Sequence, residues 1–129
     1  MRGEILVFLC GMHSLGFAAF HLAFWKLFGW PAALRQTNAA TCAVTQILNL
    51  RLIYVFLGVA ALCFTLPREL LGTRLGHALL IGMSLFWIGR LIEQFVFLRY
   101  NKPLVHVLTI LFALGAMLFV LPLTPWGSA

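Results

Sequence analysis

Four long apolar runs, separated by short polar segments, dominate the chain. They cover residues 5–28, 40–66, 75–100 and 103–121, and each is close to or above the roughly 20 residues that a helix needs to cross a bilayer. Because lipid offers the backbone no hydrogen-bond partners, runs of this length predict helices rather than strands. The sequence therefore predicts an all-α membrane protein, an antiparallel bundle of four transmembrane helices in a single domain covering residues 1–129.

The composition favours lipid as the surrounding solvent. Of the 129 residues, 63% are hydrophobic and 9% are charged, whereas a soluble domain is typically about 45–50% apolar and about 25% charged. The net charge of +6 comes mainly from basic residues between the apolar runs, where lipid headgroups are expected. No basic face interleaved with aromatic residues is visible, which argues against nucleic acid as a partner. The three cysteines form no CxxC pair and are interpreted as small packing residues.

The positions of the basic residues predict an orientation. The side that holds the first and third loops carries four of them: Lys26, Arg35, Arg99 and Lys102. The opposite side, which holds both termini, carries Arg2, Arg68 and Arg74. The positive-inside rule makes the first side cytoplasmic and both termini extracytoplasmic. The N-terminal apolar run is too long for the core of a cleaved signal peptide, so we interpret it as the first spanning helix.

Polar residues within the predicted spans cluster in the half nearer the cytoplasmic side. Seven of them share this half: His21, Gln46, Asn49, Arg90, Glu93, Gln94 and His106. Arg51 also falls within a span, although helical periodicity turns it away from Gln46 and Asn49. Ionisable groups are costly in hydrocarbon and are functional candidates by default. We therefore expect these eight residues to line one polar pocket that opens toward the cytoplasmic side.

Glu93 is the single acid within a predicted span and is the central candidate. It shares a helix face with Gly82 and Gly89, whose small size would let a neighbouring helix come close. An unpaired carboxylate at this depth is costly, so we expect Arg90 or Arg51 to pair with it. The alternative is an internal Arg–Glu–Gln network that only fixes the register of the helices.

Histidines raise a second class of function. His21 and His106 lie at similar predicted depth, so the pair could bracket a haem. Together with Glu93 they would make a three-ligand set for a transition metal. No HExxH or CxxC motif accompanies them. A redox protein or enzyme with a haem or metal cofactor is therefore kept as an alternative.

The leading prediction is a protein that binds or transports a small amphipathic or anionic molecule through the polar pocket. Glu93 and Arg90 would be its polar anchor, and the many aromatic residues of the same leaflet would suit an amphipathic ligand. No nucleophile arrangement or phosphate loop points to an enzyme, and whether the protein is one stays open. An accessory subunit of a larger membrane complex and a homodimer are further alternatives. A dimer motif is not evident, because Gly72 and Gly76 are predicted to lie in a loop.

Overall fold

Helices build the chain throughout the part that the structure, a computed structural model, describes, residues 1–128. The seven α-helices are α1 (Arg2–Leu22), α2 (Phe24–Leu27), α3 (Ala39–Thr65), α4 (Pro67–Gly72), α5 (Arg74–Phe97), α6 (Pro103–Val120) and α7 (Pro125–Ser128). Short 3₁₀ helices, Ala33–Gln36 and Leu121–Leu123, precede α3 and α7. No strand occurs within residues 1–128, so the predicted all-α class is confirmed.

Four helices are long and apolar enough to cross a membrane. They are α1, α3, α5, and α6 extended to Leu123, and they correspond to the four predicted spans. The first span differs from its prediction, because it begins at Arg2 and is interrupted at Ala23. There the Ala23 amide is shared between the carbonyls of Ala19 and Phe20, a tightening typical of helix ends.

Apolar side chains remain exposed around these four helices. Between 22% and 39% of each span is buried inside the chain, and side chains such as Leu75 and Ile110 are 81% and 67% exposed. In water, so large an apolar surface would drive association. The four helices therefore suggest a multi-pass membrane protein.

Two compact units make up the chain. The first combines Met1–Cys10 with Leu62–Ala129, and the second is Gly11–Ala61. Helices α1 and α3 each contribute to both units. The single domain of residues 1–129 stays a prediction.

The first unit is built on the pairing of α5 with α6. Ser84 Oγ donates to the Ala116 carbonyl at 2.7 Å, and the rings of Trp87 and Phe112 stack with centroids 5.7 Å apart. As residue numbers rise along α5, the numbers of their partners on α6 fall, so these two helices run antiparallel. The loop between them is only residues 98–102, which is short enough to enforce this arrangement.

The start of α5 packs closely on α4. Thr73 is the N-cap of α5, and its hydroxyl accepts a hydrogen bond from the Gly76 amide at 3.0 Å. A Cβ atom on Gly76 would collide with the backbone of Glu69 and Leu70. The prediction that Gly76 lies in a loop is therefore wrong: it lies in the first turns of α5, where a side chain would separate the two helices. The prediction missed α4 because Pro67 reads as a breaker, whereas proline at the first position of a helix is well tolerated.

The second unit is held together by aromatic contacts between α1 and α3. The ring of Phe56 lies 6.0 Å from that of Phe17 and 5.2 Å from that of His21, measured between centroids. Phe17, Phe56 and Ile53 are buried. This apolar contact fixes the C-terminal half of α1 against α3.

The contact of Gly76 with α4 predicts a pair of opposite mutational effects. Gly76→Ala should destabilise the protein by about 1–3 kcal/mol, because the methyl group meets backbone that cannot yield. Gly82→Ala is the matched control on the same helix, since nothing lies within 4 Å of its added methyl group, and it should be neutral or slightly stabilising. Unfolding by sodium dodecyl sulfate in mixed micelles, followed by circular dichroism, measures both. Equal midpoints for the two variants would contradict the close packing of Gly76 on α4.

Candidate functional site

Three predicted site residues lie in the second unit: Asn49 joins α3 to the end of α1, Gln46 joins α3 to α2, and the His21 ring bonds within α1. Asn49 Nδ2 donates to the His21 carbonyl at 2.9 Å, and Trp25 Nε1 donates to Gln46 Oε1 at 3.1 Å. The His21 ring bonds through Nδ1 to the Phe17 carbonyl at 2.9 Å. All three predicted residues are therefore engaged in contacts within this unit.

The bond from Asn49 gives a partner to a backbone carbonyl at the end of α1. The last four carbonyls of an α-helix lack intrahelical partners, and α1 ends at Leu22, one residue after the carbonyl that Asn49 binds. Both the oxygen and the nitrogen of the Gln46 amide form hydrogen bonds, because its Nε2 also donates to the Cys42 carbonyl at 3.2 Å. Gln46 and Asn49 therefore bond to other parts of the same unit, and their role in a binding site stays a prediction.

Arg51 lies on a different face of α3. It is exposed, and its guanidinium carbon is 5.8 Å from the centroid of the Tyr54 ring, within the range of a cation–π contact. Its direction agrees with the helical periodicity, which separates it from Asn49.

In the first unit, Gln94 rather than Glu93 faces the neighbouring helix. Gln94 is 1% exposed, and its Nε2 donates to the Val105 carbonyl at 2.9 Å and to Thr109 Oγ1 at 3.1 Å. Glu93 is exposed and forms no salt bridge within residues 1–128. The expected close approach of a helix beside Glu93 is wrong for this part of the chain, because α5 turns Met83, Trp87 and Gln94 inward instead.

Arg90 meets an aromatic ring rather than a carboxylate. Its guanidinium carbon lies 4.7 Å from the centroid of Phe112, and the side chain is half-buried. The predicted ion pair with Glu93 is not formed among the described residues. Arg90 stacks on Phe112 instead of forming this close pair, while its charge still interacts electrostatically with Glu93.

An open cleft of about 300 Å³ lies where α5 ends and α6 begins. We call it the α5–α6 cleft. Both polar and apolar side chains line it: Gln94, Phe95, Leu98, Arg99, Tyr100, Asn101, Val105, His106 and Thr109. Gln94 and His106 were predicted site residues, so the structure brings two of the eight to this cleft.

The polar groups of the α5–α6 cleft are positioned by short-range hydrogen bonds. Arg99 Nε donates to the Phe95 carbonyl at 3.1 Å, which leaves the two terminal nitrogens without a partner among the described residues. His106 Nε2 and Asn101 Oδ1 are 2.7 Å apart, with the ring nitrogen as donor to the amide oxygen. The cleft therefore combines a cation at its rim with a buried amide.

Sequence reasoning missed Arg99, Asn101 and Thr109 as site residues. Arg99 and Asn101 lie in the polar turn, which was used only to predict topology and the end of a helix. Thr109 follows His106 by three positions, so both fall on the same side of α6. That spacing is the signal that would have added it.

A second open cleft, of about 380 Å³, includes a predicted site residue in the second unit. It is lined by Arg35, Thr37, Ala39, Cys42, Ala43 and Gln46. The Gln46 amide is satisfied on both sides by Trp25 and Cys42. This cleft therefore lacks a buried polar atom in need of a partner, in contrast to the α5–α6 cleft.

The metal alternative gains no support from the arrangement of side chains. Within residues 1–128, no group of three or more His, Cys, Asp or Glu side chains is placed to hold a metal ion. This includes the predicted set of His21, Glu93 and His106. The haem bracketed by His21 and His106 stays a prediction.

Comparison with known proteins leaves the function to be argued from the chain itself. No protein-family model matches it. Curated proteins give no significant match, and neither do solved structures.

The bond between Asn49 and the end of α1 predicts a stability effect. Asn49→Leu keeps the volume but removes the donor to the His21 carbonyl, and we expect a loss of about 1 kcal/mol in the free energy of unfolding. Thr45→Val is the matched control one turn earlier on α3, because its hydroxyl makes no hydrogen bond among the described residues. Detergent unfolding of the two variants measures the difference. A loss as large for Thr45→Val would show that polarity at this depth, not the bond, is responsible.

Proposed function

We propose that the chain is an integral membrane protein whose long helices α1, α3, α5 and α6 span a bilayer. Their length and apolar composition, together with the exposed apolar side chains around them, support this placement. Basic residues between α1 and α3 and between α5 and α6 favour a cytoplasmic location for those loops.

Within that protein, we propose that the α5–α6 cleft binds a small amphipathic anion. The observation that carries this proposal is the combination, in one cleft of about 300 Å³, of the buried amide of Gln94 with the exposed guanidinium of Arg99. Ligand sites are commonly apolar hollows with a few convergent polar groups. Of the two activities expected from the sequence, binding is the one that this geometry supports.

The position of the cleft suits a ligand with a charged head and an apolar tail. It lies at the ends of two proposed spans, where headgroups meet hydrocarbon. The terminal nitrogens of Arg99 can bind a phosphate or carboxylate in a bidentate manner, and Lys102 adds a second positive charge in the same turn. Phe95, Leu98 and Val105 provide apolar walls for the carbon atoms next to the head.

This assignment moves the polar anchor away from the pair predicted from the sequence. Arg90 is engaged with Phe112, and neither Arg90 nor Glu93 lines the α5–α6 cleft. Arg99 takes the role of the cation and Gln94 that of the buried polar partner. His106, which is also a predicted site residue, lines the α5–α6 cleft.

Replacement of Arg99 tests the proposed site. Arg99→Gln should weaken binding of phosphatidylglycerol about tenfold, because a charge-assisted hydrogen bond is worth about 1.5 kcal/mol or more. The wild-type affinity should also fall as salt is raised. Fluorescence anisotropy of phosphatidylglycerol with a labelled acyl chain, added to the purified protein in neutral detergent, measures both.

Arg74→Gln is the matched control, since Arg74 is an exposed arginine at the start of α5, whereas Arg99 follows the end of that helix. It should leave the affinity unchanged. Equal losses for the two variants would mean that the net charge of the protein attracts the lipid, and the proposed site would then be abandoned.

A second candidate function is that of a subunit in a membrane assembly. Glu93 is exposed on α5, within a helix suited to span a membrane, and has no salt bridge among the described residues. A carboxylate facing lipid is costly, so a cationic or hydrogen-bonding partner would stabilise it. That partner is either another membrane protein or a second copy of this chain.

Replacement of Glu93 tests the second candidate. Glu93→Gln should reduce co-purification with a partner in mild detergent while the protein stays extractable. Glu69→Gln is the control, because Glu69 is exposed on α4, outside the four long helices. The partner is then cross-linked chemically to the protein in the same detergent. The mass of the cross-linked species distinguishes a homodimer from a larger complex. Unchanged cross-linking of Glu93→Gln would remove this candidate.

A further inference from the structure

The orientation of the Gln94 amide is fixed by its surroundings. Its Nε2 donates to the carbonyl of Val105, which can only accept. The same nitrogen reaches Thr109 Oγ1, whose own hydrogen is already donated to the Val105 carbonyl at 2.9 Å. Both acceptors require the nitrogen of the amide on this side. Rotation of the amide by half a turn would place oxygen against oxygen, so the opposite side must carry Oε1.

That oxygen is left without a partner. Gln94 Oε1 is buried and accepts no hydrogen bond from the described part of the chain. An unsatisfied buried acceptor costs about 1–3 kcal/mol, and most such groups in folded proteins have a partner. Gln94 lines the α5–α6 cleft, so a donor that enters from that cleft, with a shift of the side chains that cover this oxygen, would remove the penalty.

The basic residues of the turn between α5 and α6 determine which kind of donor group the cleft would accept. An ammonium group would be repelled by Arg99 and Lys102, which lie in or beside the cleft, whereas a hydroxyl group carries no charge. The same two residues favour an anion at the rim. The ligand therefore needs a negative charge and a hydroxyl group in the same head.

We infer that the α5–α6 cleft selects anionic amphiphiles whose head carries a hydroxyl group, which donates to Gln94 Oε1 while Arg99 binds the charge. This inference depends on the proposed function, because it names the ligand class of the same site. Glycerol esters of phosphate have this chemistry, either as the head of a lipid or as free glycerol phosphate.

The test compares two lipids that differ only in the donor. Phosphatidylglycerol and phosphatidylmethanol with identical acyl chains carry the same charge, but the methyl ester has no hydroxyl group. The purified full-length protein in neutral detergent should bind phosphatidylglycerol about tenfold more tightly, the effect of roughly one hydrogen bond. Each unlabelled lipid is added in competition with labelled phosphatidylglycerol, and the displacement of the labelled lipid gives its affinity.

Gln94→Leu should abolish this preference, because the acceptor for the hydroxyl group is lost. Should that variant not fold, the comparison of the two lipids on the wild-type protein still decides the question. Free glycerol phosphate is the third competitor: displacement of the labelled lipid at similar concentrations would assign the site to a soluble head, and failure to displace would assign it to a lipid.

The outcomes separate the inference from the proposal beneath it. Equal affinity of the wild-type protein for the two anionic lipids would overturn the inference and leave anion binding at Arg99 intact; water would then be the partner of Oε1. Affinities no higher than for phosphatidylcholine would overturn the proposed function itself. A lipid preference that survives in Gln94→Leu would also overturn the inference.

Discussion

In each unit of this chain, hydrogen bonds from side chains of one helix to backbone carbonyls of another add directional contacts to the apolar packing. Ser84 and Gln94 of α5 donate to carbonyls of α6, and Asn49 of α3 donates to the last turn of α1. In the proposed bilayer, an apolar helix face is about as stable against lipid as against protein, so apolar packing alone does not fix the rotation of a helix. Directional bonds are therefore what fixes the rotation of one helix against its neighbour.

The contrast between Gln94 and Glu93 is a result of this constraint. The two residues are adjacent and point about 100° apart on the helix, so only one of them can face α6. Burial of a neutral amide with partners costs far less than burial of an ionised carboxylate. The amide is accordingly inside and bonded, the carboxylate is outside, and the face of α5 that binds α6 is set by Gln94, Ser84 and Trp87.

The sequence predicts the four long helices well, because length and apolarity are enough to identify them. It predicts their rotation poorly. The exposed faces of α5 carry leucine, isoleucine and phenylalanine, and the buried face carries leucine, methionine and tryptophan, so apolar character does not tell the two apart. A partner that is a backbone carbonyl cannot be recognised from residue type either. For the candidate site, Gln94 and His106 could be predicted as polar residues in an apolar helix. Arg99 and Asn101 could not be separated from an ordinary polar turn.

Arg90 carries a charge that stacks on an aromatic ring and forms no salt bridge within residues 1–128. The contact with Phe112 leaves the positive charge uncompensated by any salt bridge in the described chain. In the proposed bilayer that charge would sense the transmembrane voltage, which acts on a fully translocated unit charge with about 2.3 kcal/mol per 100 mV. Arg90 lies nearer the α6 end of α5, and a negative cytoplasmic potential would hold it there. The electric field of an energised membrane would thus reinforce the orientation that the basic loops favour.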